Sequence, residues 1–190
     1  MGVLMLVAGA VLSAMATGRA QGAAAATVAD PLATFKSGQW IKLLASAPGA
    51  SPAPCTQLKL LTGDFLDDDW ALRGTVKSVS PERREFTIGE CHVQVTDNTT
   101  YDSPNRNFEG YSDLRPGSYV EVEGTFLKNR TFLAAEVDDE SDELARQPKM
   151  KDQIEMVGRL ERVDPRRGII TIMGCDFQVT SRTQLRSVIR

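Results

Sequence analysis

The sequence predicts an all-β fold built from two small five-stranded modules, each a small barrel or sandwich. Three observations predict it: a gapless internal repeat, apolar–polar alternation of period two within that repeat, and Gly/Pro turn chemistry at regular spacing.

The repeat comes first because it fixes everything else. Gly74 laid on Gly158 defines an offset of 84. At that offset eleven of the 26 positions from 74 to 99 are identical, namely Gly74/Gly158, Val79/Val163, Pro81/Pro165, Arg83/Arg167, Thr87/Thr171, Ile88/Ile172, Cys91/Cys175, Gln94/Gln178, Val95/Val179, Thr96/Thr180 and Thr99/Thr183. Upstream of each copy, Gly38-Gln-Trp40-Ile41-Lys-Leu43 resembles Gly117-Ser-Tyr119-Val120-Glu-Val122 at an offset of 79. Second apolar runs follow, Leu58–Leu61 in one copy and Phe132–Val137 in the other.

Each copy reads as five short strands. Trp40–Leu43 and Tyr119–Glu123 alternate as half-buried strands do, and so do the segments around Val93/Val95 and Phe177/Val179. Pro81 and Pro165 set φ for turns, and Gly168 supplies a position where φ can be positive. Gly74 and Gly158 interrupt apolar runs, where a bulge or tight bend coils a small sheet. Helix content is expected to be low. Asp30–Ala45 has amphipathic character but contains Gly38, Ala47–Pro54 reads as a loop, and Val137–Lys151 reads as a polar linker.

The amino terminus predicts export. Val3–Ala16 is uncharged and apolar, too short to span a bilayer comfortably, and is followed by small residues to Ala26. Residues 1–26 therefore read as a signal peptide, although the first basic residue, Arg19, comes after the apolar run. The mature chain is expected to be periplasmic or secreted, with no membrane span after cleavage.

Leu72-Arg-Gly74-Thr-Val76, Phe86-Thr-Ile88, Val93-Gln-Val95-Thr96, Thr99, Leu114-Arg-Pro-Gly117-Ser-Tyr-Val120-Glu-Val-Glu-Gly124 and Leu133-Ala-Ala135-Glu-Val137 resemble one full copy of the bacterial domain-of-unknown-function family 5666. The resemblance implies tandem β-modules in exported proteins, with a barrel like the oligonucleotide/oligosaccharide-binding (OB) fold. It implies no chemistry. Two frames fit the residues. In the tandem frame, permuted units occupy 35–103 and 114–190. In the family's frame, 70–137 is a complete module and the flanking halves, 35–62 and 153–190, close together into the second. Either frame covers the open edges that a lone three-stranded half leaves exposed.

Composition and motifs argue against several function classes. The net charge of −3 disfavours specific nucleic-acid binding, which needs a basic face. Charge is uneven: residues 27–143 carry −9 and residues 144–190 carry +5. That asymmetry makes a polyanion contact through Arg159, Arg162, Arg166, Arg167, Arg182 and Arg186 an alternative to an envelope-protein partner. The single histidine, His92, has the pattern of a solvent-facing strand residue. No nucleophile elbow, phosphate loop or dinucleotide fingerprint is present. No catalytic residue and no cofactor is expected. The cysteines lack the paired short spacings of a zinc site, and the acidic runs Asp67–Asp69 and Asp138–Glu143 lack the spaced calcium-loop pattern. Trp40 and Tyr119 are repeat-equivalent and expected in the core; Tyr111 is a further aromatic. In an oxidising compartment, Cys91 and Cys175 at matched positions suggest a disulfide between modules, with Cys55–Cys91 as the rival pairing.

Overall fold

A computed structural model describes residues 32–46, 51–103 and 108–187. The expected signal peptide and its cleavage region, and residues 47–50 of the expected loop, lie outside the described residues. The fold is all-β. Twelve strands among the described residues form one hydrogen-bonded network: β1 (Trp40–Ser46), β2 (Ala53–Leu60), β3 (Trp70–Ser80), β4 (Glu85–Ile88), β5 (Cys91–Gln94), β6 (Thr100–Asp102), β7 (Tyr119–Phe126), β8 (Thr131–Asp139), β9 (Gln153–Asp164), β10 (Ile169–Ile172), β11 (Cys175–Gln178) and β12 (Gln184–Ser187). One short helix, α1 (Ser141–Arg146), precedes a 3-10 turn at Pro148–Asp152.

The pairings run in two closed circuits. In the first, β3 pairs with β4, β4 with β5, β5 with β8, β8 with β7, and β7 returns to β3. In the second, β9 pairs with β10, β10 with β11, β11 with β2, β2 with β1, and β1 returns to β9. Of these ten pairings only β5–β8 and β11–β2 are parallel. Each circuit carries a short sixth strand, β6 along β8 and β12 along β2, which period-two alternation over so few residues did not reveal. The circuits meet where β3 and β9 pair over Ala71–Gly74 and Ile154–Val157.

The sequence offsets hold at the level of register. Val76↔Ile88 and Val79↔Phe86 correspond to Leu160↔Ile172 and Val163↔Ile170. Gly74↔Val120 corresponds to Ile41↔Gly158, and Tyr101↔Val137 to Leu185↔Leu58. Even the bulges recur, at Lys77 and Glu161, where the register of the long strands slips. They fall three residues after Gly74 and Gly158, not at the glycines themselves. The glycines serve close approach instead. A Cβ on Gly158 would lie 2.3 Å from the Trp70 ring, and one on Gly74 would lie 2.7 Å from Ile88. The turn after β3 is a 3-10 turn, Pro81–Arg83, closed by Arg84 at φ 53°; its counterpart uses Gly168 at φ 63°. Gly is comfortable there, and Arg84 adopts the same left-handed conformation.

Trp40 and Tyr119 are buried, as expected of repeat-equivalent core positions. Leu72, Phe86, Val93, Val122 and Phe132 fill the first circuit, and Ile41, Leu43, Leu58, Leu160 and Ile170 fill the second. Together they form one continuous hydrophobic cluster. Trp40–Ser46 is a strand, so the amphipathic character before it does not produce a helix there. Alternation continues from Trp40, and pairing on both sides of β1 satisfies its backbone. Asp138 and Asp139 belong to β8 and not to a linker, which begins only at Glu140.

Two buried hydroxyls hold the connections beyond β5 and β11. Thr99 Oγ1 donates to the Ala134 carbonyl at 2.8 Å and accepts from the Thr96 amide at 2.9 Å. Thr183 Oγ1 donates to the Cys55 carbonyl at 2.7 Å and accepts from the Thr180 amide at 2.9 Å. Valine keeps the shape and removes both bonds, leaving a buried amide and a carbonyl short of a partner. Thr99→Val and Thr183→Val are each expected to cost about 1–3 kcal/mol in urea unfolding, with similar values for the two. A loss at one position only would contradict the equivalence of the two connections.

Candidate functional site

The β3–β9 register is symmetric about its centre. Ala71↔Val157 and Arg73↔Glu155 exchange with one another, and the middle pair is Leu72↔Met156. Leu72 and Met156 are themselves 84 residues apart. A two-fold relation between the circuits lets a residue meet its own counterpart only on the axis. Cys91 and Cys175 are the second such pair. Each follows the tight turn after a Thr-Ile strand and pairs with that strand's isoleucine, Ile88↔Cys91 and Ile172↔Cys175. Their sulfurs stand 3.1 Å apart. Both are thiols here, about 1 Å farther apart than the ~2.05 Å of a bonded pair.

The two thiols differ in setting. Cys91 is buried, and its hydrogen bond with Cys175, reinforced by burial, pushes it well above the usual thiol range. Cys175 is half-buried. The hydrogen bond from Cys91 draws it below the usual range, and the nearby Arg130 charge adds to the effect. Arg130 sits at φ 68° in the β7–β8 turn and reaches across to donate from Nη2 to the Gly174 carbonyl. The Gly174 amide donates to Glu161 Oε1 at 2.7 Å. The Met173–Gly174 turn is thus gripped from both sides, one grip coming from each circuit. Arg130 had no signal in the sequence, because its counterpart at the 79-residue offset is Ser51.

Cys55 belongs elsewhere. Its thiol donates to the Gln57 carbonyl at 3.2 Å, and burial pushes it up to about 12. Of the two pairings that the sequence left open, the structure brings together Cys91 with Cys175.

The six arginines divide into two groups. Arg159 pairs with Asp67 at 2.8 Å and lies 5.6 Å from the Trp40 ring centroid. Arg162 makes two 3.1 Å bonds to Asp176, whose carboxyl is held below the usual range by the Thr171 hydroxyl and by Arg162. Arg186 contacts Gln184 at 3.4 Å on β12. Arg166, Arg167 and Arg182 are exposed and form no ion pair among the described residues. Their turns touch: the Val179 amide donates to the Gly168 carbonyl at 2.7 Å, and Gln178 Nε2 donates to the Arg167 carbonyl at 2.9 Å. The matching end of the first circuit is neutralised by Glu82 and by the Arg83–Glu85 and Arg84–Asp97 pairs.

Other candidate groups are dispersed. His92 is exposed on β5, opposite Thr87 and Thr131. The Tyr111 hydroxyl donates to the Glu85 carbonyl at 2.7 Å. The acidic residues of β6, β7 and β8 lie opposite one another, Asp102↔Asp138↔Glu121, and burial with the neighbouring carboxylates raises Asp138 to about 6. Arg73 closes this ladder through Glu121 and Glu143. Among the described residues no group of three or more His, Cys, Asp or Glu has metal-holding geometry. No described helix is long and apolar enough to cross a membrane.

No curated protein and no solved structure matches the chain. A family model matches residues 73–138, which run from within β3 to the penultimate residue of β8 and so take in nearly the whole first circuit. That segment, about a third of the chain, is similar to the family described as a domain of unknown function, DUF5666.

Proposed function

We propose that this is an exported, non-enzymatic protein of the bacterial envelope, made of two OB-like barrel modules and serving as a binding or structural element. The first module is residues 70–137. The second is assembled from the two ends of the mature chain, 35–62 and 153–190, and residues 1–26 are the signal that is removed. The observation that carries the reading is duplication without divergence of the frame. Two closed circuits share register, bulge and buried threonine, while their surfaces differ. Such a chain conserves a scaffold and varies what it presents.

The frame has a direct test. A fragment of residues 66–140 contains all six strands of the first circuit, whereas residues 32–103 contain β1 and β2 cut off from β9 and β11. The 66–140 fragment is expected to unfold in one sharp thermal transition and the 32–103 fragment to show none. The opposite result would assign the tandem frame. Export is tested by fusing residues 1–26 to a reporter enzyme that is active only outside the cytoplasm; an inactive fusion removes that part of the reading.

A second reading, contact with a polyanion, is favoured by Arg166, Arg167 and Arg182, which lie on touching turns and form no ion pair among the described residues. Retention on heparin at low salt is expected to fall steeply as salt rises. Replacing these three by glutamine is expected to abolish it, while Arg162→Gln changes it little because Arg162 already faces Asp176. Absence of retention by the unmodified protein ends this reading.

A further inference from the structure

We propose that Cys91 and Cys175 are a covalent modification site, oxidised together to an intramolecular disulfide that locks the two strand circuits to each other. The geometry supplies the reasons. The sulfurs face each other at 3.1 Å, so closure requires a shift of about 1 Å. Their backbones are fixed by hairpin pairing to Ile88 and Ile172. The turn before Cys175 is held by Arg130 from the first circuit and Glu161 from the second. A symmetric junction places counterpart residues against each other, and at this second axial position both copies carry cysteine. Cys55, whose thiol is committed to the Gln57 carbonyl, stays outside the reaction.

The asymmetry of the site sets the order of events. Cys175 is the more exposed sulfur and has Arg130 beside it, so its thiolate is the attacking group. It attacks one sulfur of an external disulfide, forming a mixed disulfide and expelling the oxidant's first thiolate. Cys91 then loses its proton and attacks the Cys175 sulfur. The Cys91–Cys175 bond forms and the oxidant's second thiolate leaves. Two protein thiols have lost two protons and two electrons, and one disulfide oxidant has become two thiols.

The test uses the purified full chain and oxidised glutathione, so it does not depend on export. Peptide mapping under non-reducing conditions is expected to yield the Cys91–Cys175 cross-linked peptide, with Cys55 still alkylated as a single thiol. Cys91→Ser is expected to trap a glutathione adduct on Cys175. In Cys175→Ser, Cys91 is expected to remain a free thiol over the same time. Recovery of both sulfurs as alkylated thiols, or of a disulfide containing Cys55, overturns the proposal. A bifunctional thiol reagent that spans only adjacent sulfurs separates the two ways of failing. Bridging without oxidation leaves the junction intact and overturns the disulfide; absence of both overturns the junction as well.

Discussion

Gly124→Ala is expected to destabilise the protein by about 3 kcal/mol or more, measured by urea or thermal unfolding, and to do so without any change in surface chemistry. A Cβ built on Gly124 would lie 2.1 Å from the Leu133 carbonyl oxygen, 3.0 Å from the Ala135 nitrogen and 3.1 Å from the Leu133 carbonyl carbon. All three are backbone atoms of β8, so no rotamer change relieves the clash. Gly124 lies where β7 slips register against β8, pairing with Ala134 just after Glu123 has paired with Glu136. The β7–β8 pair must therefore separate, and with it the closure of the first circuit between β3 and β5. The counterpart of Gly124 at the 79-residue offset is Ala45, which is fully buried and sits at the same slip, opposite Cys55. The slip itself tolerates a methyl group, so the intolerance at Gly124 comes from how closely β8 approaches at Leu133. Ala45→Gly is accordingly expected to cost only about 1 kcal/mol, the usual backbone-entropy and packing loss. A Gly124→Ala variant within 1 kcal/mol of the parent would contradict the close approach.

The contrast between those two positions also marks what the sequence could reveal. Offsets of 84 and 79 are legible because identical side chains at Pro81/Pro165, Thr87/Thr171 and Cys91/Cys175 recur at one spacing, and the register follows them residue for residue. The choice of which edges close was not legible. β1 alternates in the same way whether it lies beside β3 or β9, because alternation reports burial of one face and says nothing about the partner. The family resemblance covered the strands of the first circuit, and nothing in it named the partners that β1 and β2 find in β9 and β11. Thr99 and Thr183 were visible as an identity, but a threonine near a strand end reads as an exposed turn residue until the Ala134 and Cys55 carbonyls are seen above it. At the thiol pair, matched position was the signal, and the two sulfurs it singled out lie 3.1 Å apart. Arg130 and Glu161, which hold the Cys175 turn, were not selected. Each lies in one copy only, and nothing local to either residue announces a contact with Gly174. Among the arginines, charge counting gave six equal members. Only the partners Asp67 and Asp176 separate Arg159 and Arg162 from the other four, which form no ion pair among the described residues.

Oxidation of Cys91 and Cys175 is expected to raise the melting temperature by about 10 °C relative to the reduced protein. The cross-link closes a loop of 84 residues, and restricting the unfolded chain over that length is worth roughly 4 kcal/mol when the native state is not strained. For a domain of this size each kcal/mol moves the midpoint by about 2–4 °C. The native state contributes little opposing cost, because hairpin pairing and the Arg130–Gly174 grip already hold the sulfurs at near-bonding separation. The bond also changes what unfolds. In the reduced protein the circuits are joined chiefly through β3–β9 and the Trp40, Trp70, Phe65 and Phe126 rings, whose neighbouring centroids lie 5.0–5.5 Å apart. A covalent tie at the second axial position prevents one circuit from opening while the other stays folded. Calorimetry of the oxidised form is thus expected to show one transition at higher temperature, and addition of reductant to lower it. The Cys91→Ser/Cys175→Ser double variant is expected to melt at one temperature with or without reductant. A wild-type melting temperature that reductant leaves unchanged, in protein shown by mass to carry the bond, would mean that the junction opens only after global unfolding has begun and that the cross-link constrains nothing in the unfolded chain.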